Sequence, residues 1–117
     1  FQALLDRALA AWIEAGVHSA TTEPFPAFAT RVDGALRDAA ATTPSGRMTI
    51  VVTSGGVIGA VCAALLGGEP HRMIDFNRTA INAAFSKVIV GRSGMTLVSY
   101  NEHGHLEDAG GGFVTYR

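Results

Sequence analysis

Cysteine is almost absent from this chain. Cys62 stands alone in an apolar helical stretch, so no disulfide can close within the 117 residues. A single thiol fits a reduced, cytoplasmic setting. A charge excess of either sign is lacking too: nine Lys and Arg face ten Asp and Glu, for a formal net charge of −1. Without a basic field, nucleic acid is not an expected partner. No long apolar run is present. Val57–Leu66 is too short to span a bilayer and is punctuated by Gly and Ala, so no membrane partner is expected. A signal peptide is equally missing, because "FQALLDRALAAWIEAG" carries Asp6, Arg7 and Glu14. The chain also lacks an initiating methionine. It starts at Phe1 in the middle of a helical pattern and reads as the later part of something longer.

What is present is a globular composition, 48% hydrophobic and 16% charged, of a length for one domain or part of one. Phe1, Leu4, Leu5, Ala8, Leu9, Trp12 and Ile13 recur with helical spacing, which predicts an amphipathic helix ending near Gly16. After the loop "VHSATTEPFP", with Thr22 as N-cap, a second helix is marked by Phe25, Phe28, Val32, Ala35, Leu36 and Ala39. Met48–Thr53 is a continuous run rich in β-branched residues, the pattern of a strand buried on both faces. Val57–Leu66 then predicts a helix closed by Gly67, Gly68 and Pro70. Residues 83 to 90 and 95 to 100 read as a hairpin around Gly91-Arg92-Ser93-Gly94, and a polar, glycine-rich tail shows no clear element before Phe113–Tyr116. The order is α/β, with one buried strand that lacks neighbours in this chain.

The junction Thr53-Ser54-Gly55-Gly56 carries the chemistry of interest. A strand running through glycines into a helix presents backbone N–H groups, and the helix dipole adds partial positive charge. Glycine permits positive φ and close approach to an oxyanion; it equally permits a tight strand-to-helix connection with no ligand. Both readings stand. The turn is not a Walker loop, since no Gly-Lys-Ser/Thr follows. Val52 also stands where a serine-hydrolase elbow needs glycine.

The stretch "VVTSGGVIGAVCAALLGG" resembles the second signature of the histidine phosphatase superfamily, the phosphoglycerate-mutase-like proteins, in which Ser-His-Gly-Gly-Val-Ile leads into an Ala- and Leu-rich helix. In order along the chain, "TEPFPAFATRVDGAL" resembles the family's Gly-Glu-Ser segment, "INAAFSKVIV" its Asn-then-strand segment and "LVSYNEHGHLED" its closing Asn-x-x-x-His-Leu. The resemblance implies a three-layer α-β-α sheet, incomplete in this chain for want of its N-terminal strands. Residues 1–117 are then the C-terminal part of a single domain. Its missing strands would lie upstream of Phe1 or come from another chain, through a homo-oligomer or pairing with an N-terminal segment.

The resemblance also implies a reaction. A histidine from an Arg-His-Gly motif attacks phosphorus, arginines and a second histidine hold the oxygens, and an acid protonates the leaving group. Glu23 falls at the proton donor, Ser54 at the second histidine, and Gly55 supplies a nearby N–H, so Ser54 and Gly55 are the phosphate-binding candidates. No cofactor and no metal are implied. The expected partner is a phosphorylated small molecule or phosphoprotein. The departures are clear: the chain has no Arg-His-Gly, Ser54 replaces a histidine, and Gly59 stands where an arginine often follows Val-Ile. The chain alone is therefore expected to be inactive as a phosphatase. Its parent is either a phosphomonoester hydrolase or a catalytically silent relative that binds a phosphorylated ligand or a protein.

Other residues have plainer readings. Glu23 could cap a helix, His103 and His105 could be hydrogen-bonded tail residues rather than metal ligands, His18 and His71 suit solvent, and Arg72 and Arg78 suit solvent more readily than a part in binding an anionic substrate. Trp12 and Met73 are expected to pack. A Ser54–His105–Asp108 hydrolase set is conceivable in residue types, but the turn sequence argues against it.

Overall fold

The computed structural model describes residues 1–110 and 112–116. Helix α1 spans Gln2–Ala15, and Gly16 ends it with a positive φ of 52°. A short 3₁₀ turn, Gly16–His18, follows. Helix α2, Phe25–Thr42, begins two residues later than a Thr22 cap would place it. Pro24 is the N-cap residue and Pro26 occupies the first turn, where a missing N–H costs nothing. Helix α3 is Gly55–Leu65, and helix α4 is Arg72–Thr79.

The core lies among these four helices. Ile13 of α1, Phe25, Phe28 and Val32 of α2, Ala63 of α3, and Met73 and Ile74 of α4 form one buried cluster. Trp12 packs on it, with ring centroids 5.3 Å from Phe25 and 5.1 Å from Phe28. Packing is only part of its role: the indole N–H also donates to the Glu23 carbonyl at 2.8 Å, tying the loop before α2 to α1. The apolar face of α1 is covered only over its second half, since Phe1 and Leu4 remain exposed.

α4 was not evident in the sequence. Its apolar side is brief, with Met73, Ile74 and Asn77 buried, and it depends on α3 rather than on its own pattern. Gly59 of α3 makes that contact close. A Cβ built at residue 59 would lie 2.8 Å from the Met73 carbonyl oxygen and 3.4 Å from the Asn77 nitrogen. Arg78 fastens the other side of α4, bonding Asp6 of α1 at 2.8 and 2.9 Å.

The sheet is small among the described residues. β1, Phe85–Gly91, pairs antiparallel with β2, Gly94–Glu102. Gly91 faces Gly94 across the two-residue loop, and Gly94 takes φ 114°, so the hairpin register matches the sequence expectation. The pairing slips between Phe85 and Val88, which bends the start of β1. Helix α5, Gly104–Asp108, follows β2, in a tail expected to hold no element there. Tyr116 forms an isolated antiparallel bridge with Ile81.

The Met48–Thr53 expectation is corrected. This segment joins no ladder, and its side chains are exposed: Met48 by 82%, Ile50 by 74% and Val52 by 93%. The β-branched pattern is that of a doubly covered strand, but a strand requires neighbours, and among the described residues none lies beside it. The α/β class holds, as helices plus a two-stranded antiparallel sheet.

Candidate functional site

Ser54 is the N-cap residue of α3, with extended φ −88° and ψ 158°. Its carbonyl accepts from Ile58 N–H at 3.1 Å, while its hydroxyl makes no capping bond. Gly55 and Gly56 sit inside the first helical turn, and neither adopts positive φ. The freedom of glycine to take positive φ is therefore not used at this turn. What glycine contributes here is the lack of a side chain over the first-turn N–H groups, which have no partner inside the helix.

A groove of about 510 Å³ opens beside this turn. One wall is Ile50–Gly55 with Ile58; the other is the segment 80–86 with Tyr100 and Asn101. Its polar groups are hydroxyls and amides, from Thr53, Ser54, Asn82, Ser86, Tyr100 and Asn101. Among the described residues, no Arg, Lys or His lines the groove, and the donors they offer an anion are helix-terminal N–H groups and neutral side chains.

Glu23 is held elsewhere. Arg31 grips its carboxylate with two parallel bonds, Nε to Oε1 at 2.7 Å and the second guanidinium nitrogen to Oε2 at 2.8 Å. Its backbone is fixed as well, the carbonyl accepting from both Trp12 and the Thr21 hydroxyl. The Arg31 hydrogen bonds hold the Glu23 carboxyl below its ordinary 4.5, so the group is ionised in this arrangement. Glu23 does not line the groove beside Ser54. A proton donor at this position would first need its arginine to move away.

The remaining titratable candidates have local partners. His103 Nδ1 lies 2.7 Å from the Asn101 carbonyl and its Nε2 3.3 Å from Glu107. His105 Nε2 lies 3.1 Å from the Ala83 carbonyl, with its ring 5.0 Å from that of Phe85. No group of three or more His, Cys, Asp or Glu suited to a metal occurs among the described residues. His71 lies 3.5 Å from Glu14, and Arg78 serves the α1–α4 contact instead of free solvent. Cys62 is 1% exposed, and burial pushes its thiol up to about 11, which makes it inert at neutral pH.

Sequence reasoning missed the far wall of the groove. Tyr100 donates its hydroxyl to the Phe76 carbonyl and sets its ring edge-on to Phe76 at 5.0 Å. Asn101 takes φ +62°, rare for a residue with a side chain, and so does Ala83. Both stretches of this wall stand in segments quoted for the family resemblance, "INAAFSKVIV" and "LVSYNEHGHLED", but nothing in the sequence shows that they meet at the Ser54 turn. Among the described residues, no helix is long and apolar enough to cross a membrane.

Comparison with known proteins gives one match. The family described as histidine phosphatase superfamily (branch 1) matches residues 2–103. No curated protein and no solved structure matches the chain.

Proposed function

The chain belongs to the histidine phosphatase superfamily, and from that membership we propose that it is part of a phosphomonoester hydrolase whose phosphate sits at the Ser54 turn. The observation that carries this reading is the groove: the open first turn of α3 faces into it, within the matched residues. Ser54 offers a hydroxyl there, and Gly55 an N–H at the positive end of the helix dipole.

In the proposed reaction, a neutral imidazole nitrogen attacks phosphorus. A P–N bond forms as the ester P–O bond breaks, and a carboxylic acid gives its proton to the departing alcohol. Water then cleaves the P–N bond, releasing phosphate and restoring the imidazole. None of the four histidines here stands in an Arg-His-Gly, so the proposal takes the nucleophile from a segment outside these 117 residues. Glu23 serves as acid only once Arg31 has turned from it toward the phosphate. The reaction so written uses no metal and no cofactor, and suits a reducing, cytoplasmic setting. The exposed Met48–Val52 run fits the same reading, as a strand whose neighbour comes with that segment or with a second copy.

A second reading is a catalytically silent relative that binds a phosphorylated ligand or a protein partner. One observation favours it, since Glu23 is held ionised by Arg31 outside the groove, and the resemblance, which puts Ser54 in the second histidine's place, points the same way.

Titration with inorganic phosphate, followed through the amide signals of Gly55, Gly56 and Val57, tests the shared premise. Selective movement of these signals is expected. Their indifference at millimolar phosphate overturns the phosphate site. Ser54→His in a form carrying Arg-His-Gly then separates the readings, with p-nitrophenyl phosphate as substrate. A large gain in turnover marks an enzyme that has lapsed, and a loss shows that serine has its own role.

A further inference from the structure

We propose that Asn101 is a positioning residue, which sets the groove wall facing Ser54 and so shapes the ligand site. The wall-setting step stands on geometry alone, while its consequence for phosphate rests on the reading just given.

Asn101 uses each of its polar groups. Its backbone N–H donates to Ser86 Oγ at 3.2 Å, and its carbonyl lies 2.7 Å from His103 Nδ1. Its side-chain oxygen accepts from Ile81 N–H at 2.9 Å, and its side-chain NH₂ donates to the Thr79 carbonyl at 2.8 Å. The carboxamide thus straddles Ala80, bonding the carbonyl before it and the amide after it. A peptide group on a parallel neighbouring strand makes this same pair of bonds. The side chain therefore supplies strand-like bonds on one side of the chain as it leaves α4, where Ala80 and Ile81 are buried, while the Tyr116 bridge and the bond from Asn82 N–H to the Thr115 carbonyl pair the segment with the tail.

The positive φ of Asn101 belongs to the same device. Left-handed backbone is accessible to asparagine at less cost than to most residues. It turns the end of β2 so that the side chain points back to the 79–81 segment while the carbonyl meets His103. From Ile81 the wall then makes a turn, with Ala84 N–H donating to the Ile81 carbonyl and Ala83 left-handed. His105 secures the outward side of that turn through the Ala83 carbonyl. All of these residues from Ala80 to Ser86 face the groove opposite Ser54.

The test compares the parent chain with Asn101→Gly and Asn101→Asp. Glycine keeps the left-handed backbone and deletes both carboxamide bonds; aspartate keeps the acceptor for Ile81 and deletes the donor to Thr79. Ile81 amide exchange is expected to quicken by about tenfold or more in Asn101→Gly, as loss of a net hydrogen bond implies, and to stay near the parent rate in Asn101→Asp. Equal Ile81 exchange in parent and Asn101→Gly overturns the proposal whatever phosphate does. The second readout is inorganic phosphate affinity at the Gly55 and Gly56 amides, with the urea midpoint measured alongside. Affinity falling by about tenfold in Asn101→Gly, beyond any fraction unfolded, supports positioning. Unchanged affinity with a freed Ile81 overturns it, because Asn101 would then hold the fold and not the site. A parent that ignores phosphate sinks the phosphate reading instead, and the Ile81 comparison alone decides whether Asn101 sets the wall.

Discussion

Gly59→Ala should destabilise the chain although it improves helix propensity. Residue 59 lies in the middle of α3 and is buried, and a methyl there would stand 2.8 Å from the Met73 carbonyl oxygen. That oxygen belongs to the backbone of α4, so no rotamer change relieves the contact. α4 must withdraw until the distance reaches an ordinary 3.4 Å or more. Over-packing of this kind costs about 1–3 kcal/mol, while replacing glycine by alanine inside a helix returns about 1 kcal/mol. Gly34→Ala supplies the control: Gly34 sits mid-way along α2 with nothing within 4 Å of a built Cβ. It should therefore show the propensity gain alone. Because that gain is common to both, the gap between the two variants isolates the helix-helix contact at about 1–3 kcal/mol. Urea unfolding followed by far-UV circular dichroism and by Trp12 fluorescence measures it, through a shift in midpoint at constant slope. A Gly59→Ala midpoint equal to or above that of Gly34→Ala would refute the argument.

Three further outcomes are expected. Cys62 should resist a thiol reagent in the native chain at pH 8, because its thiol is buried and pushed up to about 11, and should react in step with unfolding as urea is added; full-rate labelling without urea would contradict its burial. Glu23 should titrate below 4.5 by carboxyl carbon shifts and return toward 4.5 in Arg31→Ala. With its folded value lowered, the pair favours folding above pH 4.5 and loses that effect as pH falls through the folded value; an unmoved titration in Arg31→Ala would break the assignment. Val52→Lys should leave the unfolding free energy within about 0.5 kcal/mol of the parent, since the side chain stands in solvent. It should also weaken any concentration-dependent association seen by sedimentation, and unaltered association would separate self-contact from this segment.

The elements legible in the sequence are those whose signal is local. α1 and α2 announce themselves through long apolar periodicity, and the hairpin through glycines flanking a two-residue loop. α4 was hidden because eight residues give barely two turns, and its stability comes from the close approach that Gly59 allows. Met48–Thr53 misled for the converse reason: the pattern of a covered strand is intrinsic, but its neighbours are not. The start of α3 was legible, since the glycine turn and the helix it opens are contiguous, although the strand expected before it joins no ladder. The wall that Asn101 holds was not, because its bonds reach back 20 and 22 residues to Ile81 and Thr79.

These long-range bonds connect the packing of α4 to the shape of the groove. Gly59 lets α4 approach α3 closely, since a Cβ there would lie 2.8 Å from the Met73 carbonyl oxygen. With α4 so placed, the Phe76 carbonyl receives the Tyr100 hydroxyl, and the Thr79 carbonyl receives the Asn101 carboxamide. The far wall is therefore hung from the end of α4. Among the described residues, the groove so walled carries no Arg, Lys or His, and Ser54 offers it a neutral hydroxyl. On the reading that phosphate sits at the Ser54 turn while Arg31 stays on Glu23, its binding by the chain should depend less on ionic strength than binding to a site built from arginine and histidine. A steep loss of phosphate affinity with added salt would show that a cation such as Arg31 enters the site.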